Sequence, residues 1–279
     1  MRSEAANPQV TADRGPDRAR VVGHFGEWLQ GRLGPKGPLV LVTVACPALG
    51  VSAWRLGQGP LDLVQERQVL TPTRASDFLT RIGAPPGVFR LQTDMPPGGG
   101  AGASTAALLA LAAVSGQGGA ALAGACLAVE GASDPLMLPV PDAVLWAPRE
   151  ARVVAPIPPL PQVEVIGGFR GAPQVTDPAD LDFPDVSDLV TRLERPCDTA
   201  TLAQIASESA RRCTALRGPG DDPCAALAND LGALGHVRAH TGSARGLIFA
   251  PGTVPDSAEA ALAEAGLTEV LRFRTGHRR

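Results

Sequence analysis

The stretch DMPPGGGAGASTAALLAL, Asp94 to Leu111, concentrates more chemical potential than any other in the chain. A glycine-rich turn that runs into a helix is a physical anion site. Glycines let the backbone approach a phosphate, the loop N–H groups donate, and the helix N-terminus adds positive potential. Ser104 and Thr105 fall where that helix begins. Their hydroxyls can cap the helix or coordinate a phosphate-bound Mg²⁺. A Walker A loop would need a lysine after its last glycine, and this loop has none. A dinucleotide fingerprint can be laid over Gly98, Gly100 and Ala103. The Pro96-Pro97 pair before it, and the lack of any acidic residue before Glu130, leave that reading without its ribose partner. A flexible glycine loop capped by serine remains the plain alternative.

Three further segments carry candidate groups. GHFGEWLQG (Gly23 to Gly31) holds Glu27 and Gln30, and AHTGSARGLIF (Ala239 to Phe249) holds His240, Thr241, Gly242 and Ser243. Between them, AVEGASDPLMLP places Glu130 and Asp134 four residues apart near a helix end. Phosphoryl transfer asks for positioning, charge neutralisation by Mg²⁺ and, in some cases, a base for the attacking hydroxyl. Asp134 could equally cap the turn before Pro135, and His240 alone reads more naturally as structural. Asp142 and the pair Asp221-Asp222 are weaker acids for the role, the latter being natural helix caps. Arg245 could face a phosphate or the surface.

Taken together, these segments resemble the three motifs of the GHMP kinase superfamily, in order and across about residues 20 to 275. PPGGGAGASTA is similar to the second motif, although Ala103 replaces the first of the usual serine pair. GHFGEWLQG and AHTGSARGLIF resemble the first and third motifs in the form carried by L-threonine kinases of cobalamin biosynthesis and propanediol utilisation. The resemblance implies a two-lobed α+β fold, with an N-terminal ribosomal-protein-S5-like lobe and a C-terminal ferredoxin-like lobe. It implies ATP on Pro97, Gly98, Gly99, Gly100, Ala101, Gly102, Ala103, Ser104 and Thr105, and Mg²⁺ on Ser104 and Glu130. It further implies Asp134 and Ser104 as catalytic groups, with Asp134 as base or substrate-positioning residue. Glu27, Gln30, His240, Thr241, Gly242 and Ser243 would meet a small substrate such as a hydroxylated amino acid.

Elements must hold these groups in place. β-branched residues bounded by turn formers predict strands at Val21-Val22, 38–46, 51–56 and 88–93. Helices are expected over about 104–114 and 120–131, the second stopped by Pro135. Further on come strands within 143–157 and 161–169, helices near 185–193, 199–216 and 223–235, a strand at 246–251, a helix after Pro255 and a final strand. Strands with helices in two successive groups point to α+β with two lobes. The expected division is a disordered tail over 1–19, an ATP-binding lobe over 20–155 and a second lobe over 156–279.

Bulk properties narrow the class. The 279 residues are 44% hydrophobic and 19% charged, with net charge −3. That is enough apolar content for a packed core, and no basic stripe suggests a nucleic-acid partner. Five widely spaced cysteines lack any paired-ligand spacing, which favours reduced thiols in a cytoplasm over a disulfide framework. No charge occurs between Asp94 and Glu130, but prolines and glycines break that run too often for a membrane span. The expected partner is a small molecule, with the protein a monomer or homodimer.

Overall fold

The computed structural model describes residues 17–174, 177–218 and 220–276. Two long antiparallel strands, β1 (Arg18–Arg32) and β2 (Leu39–Gly57), form the spine. β3 (Asp62–Gln65) and β4 (Val88–Thr93) extend the sheet beyond β2, flanking helix α1 (Pro72–Arg81) in sequence. Helices α2 (Ala103–Val114) and α3 (Leu122–Glu130) follow, then two 3₁₀ turns (Pro135–Met137 and Pro141–Ala143). A hairpin of β5 (Val144–Ala147) and β6 (Arg152–Pro156) pairs off β2.

The second half supplies β7 (Val163–Phe169), α4 (Ser187–Leu193), α5 (Thr199–Arg217) and α6 (Cys224–Asp230). It ends with β8 (Gly235–Arg238), β9 (Ala244–Phe249), α7 (Ala258–Glu264) and β10 (Thr268–Thr275). The strands run in the order β10-β7-β9-β8-β1-β2-β4-β3. The C-terminal strands join the N-terminal ones where Arg238 of β8 pairs with Glu27 of β1. A candidate site residue therefore lies on the seam of the two strand groups.

The core explains the uncharged run. Ten residues of α2 are buried, so its sequence shows no polar face at all. Such a helix is an interior element rather than an amphipathic surface one, and it lies against β1 and β2. Among the described residues no helix is long and apolar enough to cross a membrane. Cys46, Cys126, Cys213 and Cys224 are buried free thiols.

Several expectations change. Residues 1–16 of the expected tail lie outside the described residues, while Arg18 and Ala19 already belong to β1. The short strands expected at 21–22, 38–46 and 51–56 are two continuous ones, because bulges let the chain absorb Gly26 and Pro47 without leaving the ladder. α3 ends at Gly131, whose φ of +71° provides a left-handed cap, before Pro135 is reached. α1, β3 and β8 were not anticipated. α1 carries a readable signal: Thr71 caps it, Pro72 opens it, and Ala75, Phe78 and Leu79 form its buried face. β8 is four residues long and begins at Gly235, where the expected helix ends.

Candidate active site

The three segments meet in space through their backbones. His24 N–H donates to Ala101 O (3.1 Å) and Gly26 N–H to Gly100 O (3.2 Å), tying the first segment to the glycine loop. Ala244 N–H donates to Gly99 O (2.9 Å), tying in the third. Gly100 has φ +74°, and a Cβ there would collide with the Cβ of Ala239 and stand 3.0 Å from Gly242 Cα. Only glycine permits that approach.

Beside the loop lies an open cleft of about 390 Å³. Pro97, Gly98 and Gly100 to Thr105 line it, together with Glu27, Gln30, Glu130, Asp134 and Thr241. Gly99, His240, Gly242 and Ser243 do not: they pack behind the wall. The Ser243 carbonyl accepts from Arg170 N–H (2.9 Å), a structural use.

At the start of α2, the Ser104 hydroxyl donates to Glu130 Oε1 and the Thr105 hydroxyl to Oε2 (3.0 Å). Burial pushes the Glu130 carboxyl up to about 7, against the pull of those two hydroxyls. Arg74, on α1 at the cleft rim, also favours its ionised form. A serine hydroxyl and a carboxylate are the hard oxygen donors that Mg²⁺ takes alongside phosphate oxygens and water, so these two residues fit that ion. No group of three or more His, Cys, Asp or Glu converges among the described residues.

Asp134 is not a cap. It occupies the N-cap position of the first 3₁₀ turn without a side-chain hydrogen bond to it. Its carboxylate instead faces His24, with Oδ2 3.4 Å from Nε2, an ion-pair separation longer than a good hydrogen bond. Burial opposes a charged imidazole, but Asp134, then Glu27 and the Gly26 carbonyl, outweigh it and raise the His24 pKa. Sequence reasoning gave His24 no role.

Its position follows from the irregularity of β1. Residues three apart on a regular strand point to opposite faces. Here the register runs His24↔Ala45, Glu27↔Thr43 and Gln30↔Leu41, three residues of β1 against two of β2 in each interval. Two bulges, the first containing Gly26 at φ +69°, thus bring His24, Glu27 and Gln30 onto one face. All three line the cleft.

Behind them runs a buried chain. Gln30 N–H donates to Ser209 Oγ (3.2 Å), leaving the Ser209 proton for His240 Nε2 (2.9 Å). His240 then carries its own proton on Nδ1 and donates it to Glu27 Oε2 (3.2 Å), which also accepts the His240 backbone N–H (3.0 Å). Burial lowers the His240 pKa despite Glu27, consistent with that neutral tautomer. His240 therefore acts on the cleft through Glu27. Ser209, on α5, carries no motif that could have flagged it.

Arg245 is neither at the surface nor on the cleft. It is buried, pairs with Asp222 (2.6 Å) and donates to the carbonyls of Gly242 (3.0 Å) and Ala244 (2.8 Å). It holds the third loop from beneath.

The mevalonate kinase of methicillin-resistant Staphylococcus aureus superposes with a TM-score of 0.59 at 15% identity, covering 94% of this chain and 99% of that one. The mevalonate kinase of Methanococcus jannaschii reaches 0.63 at 10% identity, over 95% and 100%. The chain has the GHMP kinase fold. A putative homoserine kinase from Listeria monocytogenes gives 0.52 at 16% identity, over 94% and 99%. No protein-family model matches the sequence, and no curated protein does.

Proposed function

We propose that this protein is an ATP-dependent kinase that transfers the γ-phosphate to the side-chain hydroxyl of L-threonine. The product would be O-phospho-L-threonine for the aminopropanol linker of cobalamin. The observation that carries the kinase reading is the meeting in one cleft of a glycine loop opening α2, a Ser104–Glu130 oxygen pair and an Asp134 whose side chain does not cap its own turn.

The chemistry follows from those positions. Loop N–H groups and the start of α2 hold the phosphate oxygens. Ser104 and Glu130 would hold Mg²⁺, which neutralises charge on the phosphates when bound. Asp134 takes the proton from the substrate hydroxyl as its oxygen bonds to the γ-phosphorus and ADP departs. His24 orients that carboxylate from behind, 3.4 Å away. The buried wall of His240 and Ser209 keeps Glu27 fixed while the substrate binds.

Threonine rests on the form of the first and third motifs. Homoserine or another small alcohol is the second reading, in keeping with the overlays on the mevalonate kinases and on the Listeria protein. A relative that binds ATP without transferring it is a third, and the complete acid and hydroxyl set argues against it. The deciding assay offers L-threonine, L-serine, L-homoserine and mevalonate with Mg-ATP and identifies phosphorylated products by mass spectrometry. Product from threonine alone supports the proposal; strong turnover of another alcohol replaces the substrate. No transfer to any, with Mg-ATP still bound, rejects threonine and leaves an untested acceptor or the non-transferring relative.

A further inference from the structure

We infer that Glu27 and Gln30 form a binding site for a primary ammonium group, so that the acceptor alcohol must carry an amine. This rests on the kinase reading above and adds the substrate's charge class. Two independent observations converge on it. First, Glu27 is 4% exposed, lines the cleft, and has Oε2 engaged by two N–H groups of a neutral His240. The buried His24 and Arg238 act on this carboxylate only through space and hydrogen-bond elsewhere, His24 to Gly26 O and Arg238 to Ala239 O and Thr214. An ammonium in the cleft would therefore be its first directly bonded cation. Second, Gln30 is 5% exposed and lines the same cleft, yet its Oε1 is buried without any hydrogen-bond partner. A buried amide oxygen left unpaired costs free energy that a donating ligand recovers.

The double bulge of β1 puts both acceptors on one face, beside His24 and hence beside Asp134. An ammonium offers three N–H donors and a positive charge, which fits one carboxylate and one amide oxygen together. A hydroxyl offers one donor and no charge, and a carboxylate at this place would face Glu27 with like charge. The backing chain from Ser209 through His240 fixes Glu27 in the orientation that an ammonium would need. Amino alcohols are therefore selected over hydroxy acids.

The test compares L-threonine, L-threoninol (amine without carboxylate) and 3-hydroxybutyrate (carboxylate without amine) by calorimetric binding and by phosphorylation. Threonine and threoninol should bind, with 3-hydroxybutyrate about 10- to 100-fold weaker, the loss expected of a charge-assisted hydrogen bond. Glu27→Gln and Gln30→Met should each weaken the two amines while leaving 3-hydroxybutyrate unchanged. Circular dichroism melting of both variants confirms that they fold, and Gln30→Met stands if Glu27→Gln does not. Equal binding of 3-hydroxybutyrate, or variants that weaken all three ligands alike, overturns the ammonium site while leaving the kinase in place. Amine binding that depends on Gln30 without any phosphorylation keeps the site and rejects threonine as the acceptor.

Discussion

Gly100→Ala tests whether the glycine loop and the third segment truly share one packed joint. Gly100 has φ +74°, and its missing Cβ leaves room for Ala239 and Gly242. An alanine there meets two costs. The left-handed conformation costs about 1–2 kcal/mol for a residue with a Cβ, and forcing a methyl into packed backbone costs a further ~1–3 kcal/mol. Gly116 supplies the control: its φ is +78°, but a Cβ there would have nothing within 4 Å. Gly116→Ala should therefore show the conformational cost alone. At about 2–4 °C per kcal/mol for a chain of this size class, Gly116→Ala should melt roughly 2–8 °C below the parent, and Gly100→Ala about 2–12 °C below that. Scanning calorimetry reads both, and calorimetric titration with Mg-ADP reads the phosphate loop. Only Gly100→Ala should lose nucleotide affinity. If the two variants melt together and bind Mg-ADP alike, the packing of these loops is refuted.

Other outcomes follow from individual contacts. Asp134→Asn should cut kcat by about 10²–10⁴ with little change in KM for ATP, because a base acts only on the reacting proton; an unchanged kcat would remove Asp134 from the mechanism. Ser104→Ala should raise the Mg²⁺ concentration needed for half-maximal rate, measured by metal titration, with the substrate KM unaltered. Arg245→Met strips the buried Asp222 of its 2.6 Å partner, leaving Arg238 at 3.8 Å. The cost should be about 3 kcal/mol by urea unfolding, and a loss below about 1 kcal/mol would show that the third loop stands without it. On α5, hydrogen bonds from Arg211 and then Arg212 lower the Glu208 pKa to about 2. A depressed carboxylate stabilises fully above its unfolded value near 4.5 and loses that contribution as pH falls toward 2. With the side chain 30% exposed, solvent screening leaves about 1 kcal/mol. Glu208→Gln should flatten stability across that window in parallel urea titrations.

Much of the architecture was legible because period and punctuation are local. The glycine run, the small-residue helix α2, the β5–β6 hairpin and the 19-residue α5 lie where hydrophobic pattern and turn residues put them. α1 was equally readable from Thr71-Pro72 and its apolar spacing. β8 was not: four residues gain strand character only from β1 and β9 on either side. Among site residues, Ser104, Glu130 and Asp134 could be picked out by type and order. His24, Arg74 and Ser209 could not, since each matters through what stands opposite it.

The sequence by itself determined which groups were available: a phosphate-sized glycine loop, two acids four residues apart, and a Glu27–Gln30 spacing. It also determined the α+β pattern, because alternation and helical period are written residue by residue. Only the tertiary structure decided how those groups act. It turned a spacing of three on a strand into a single face by two bulges, which no periodicity predicts. It sent Asp134 to His24 rather than to its own turn, and it buried Arg245 beneath the third loop, neither facing a phosphate in the cleft nor at the surface. Side-chain direction depends on register with a partner strand and on burial against distant segments, and both are properties of the assembled chain.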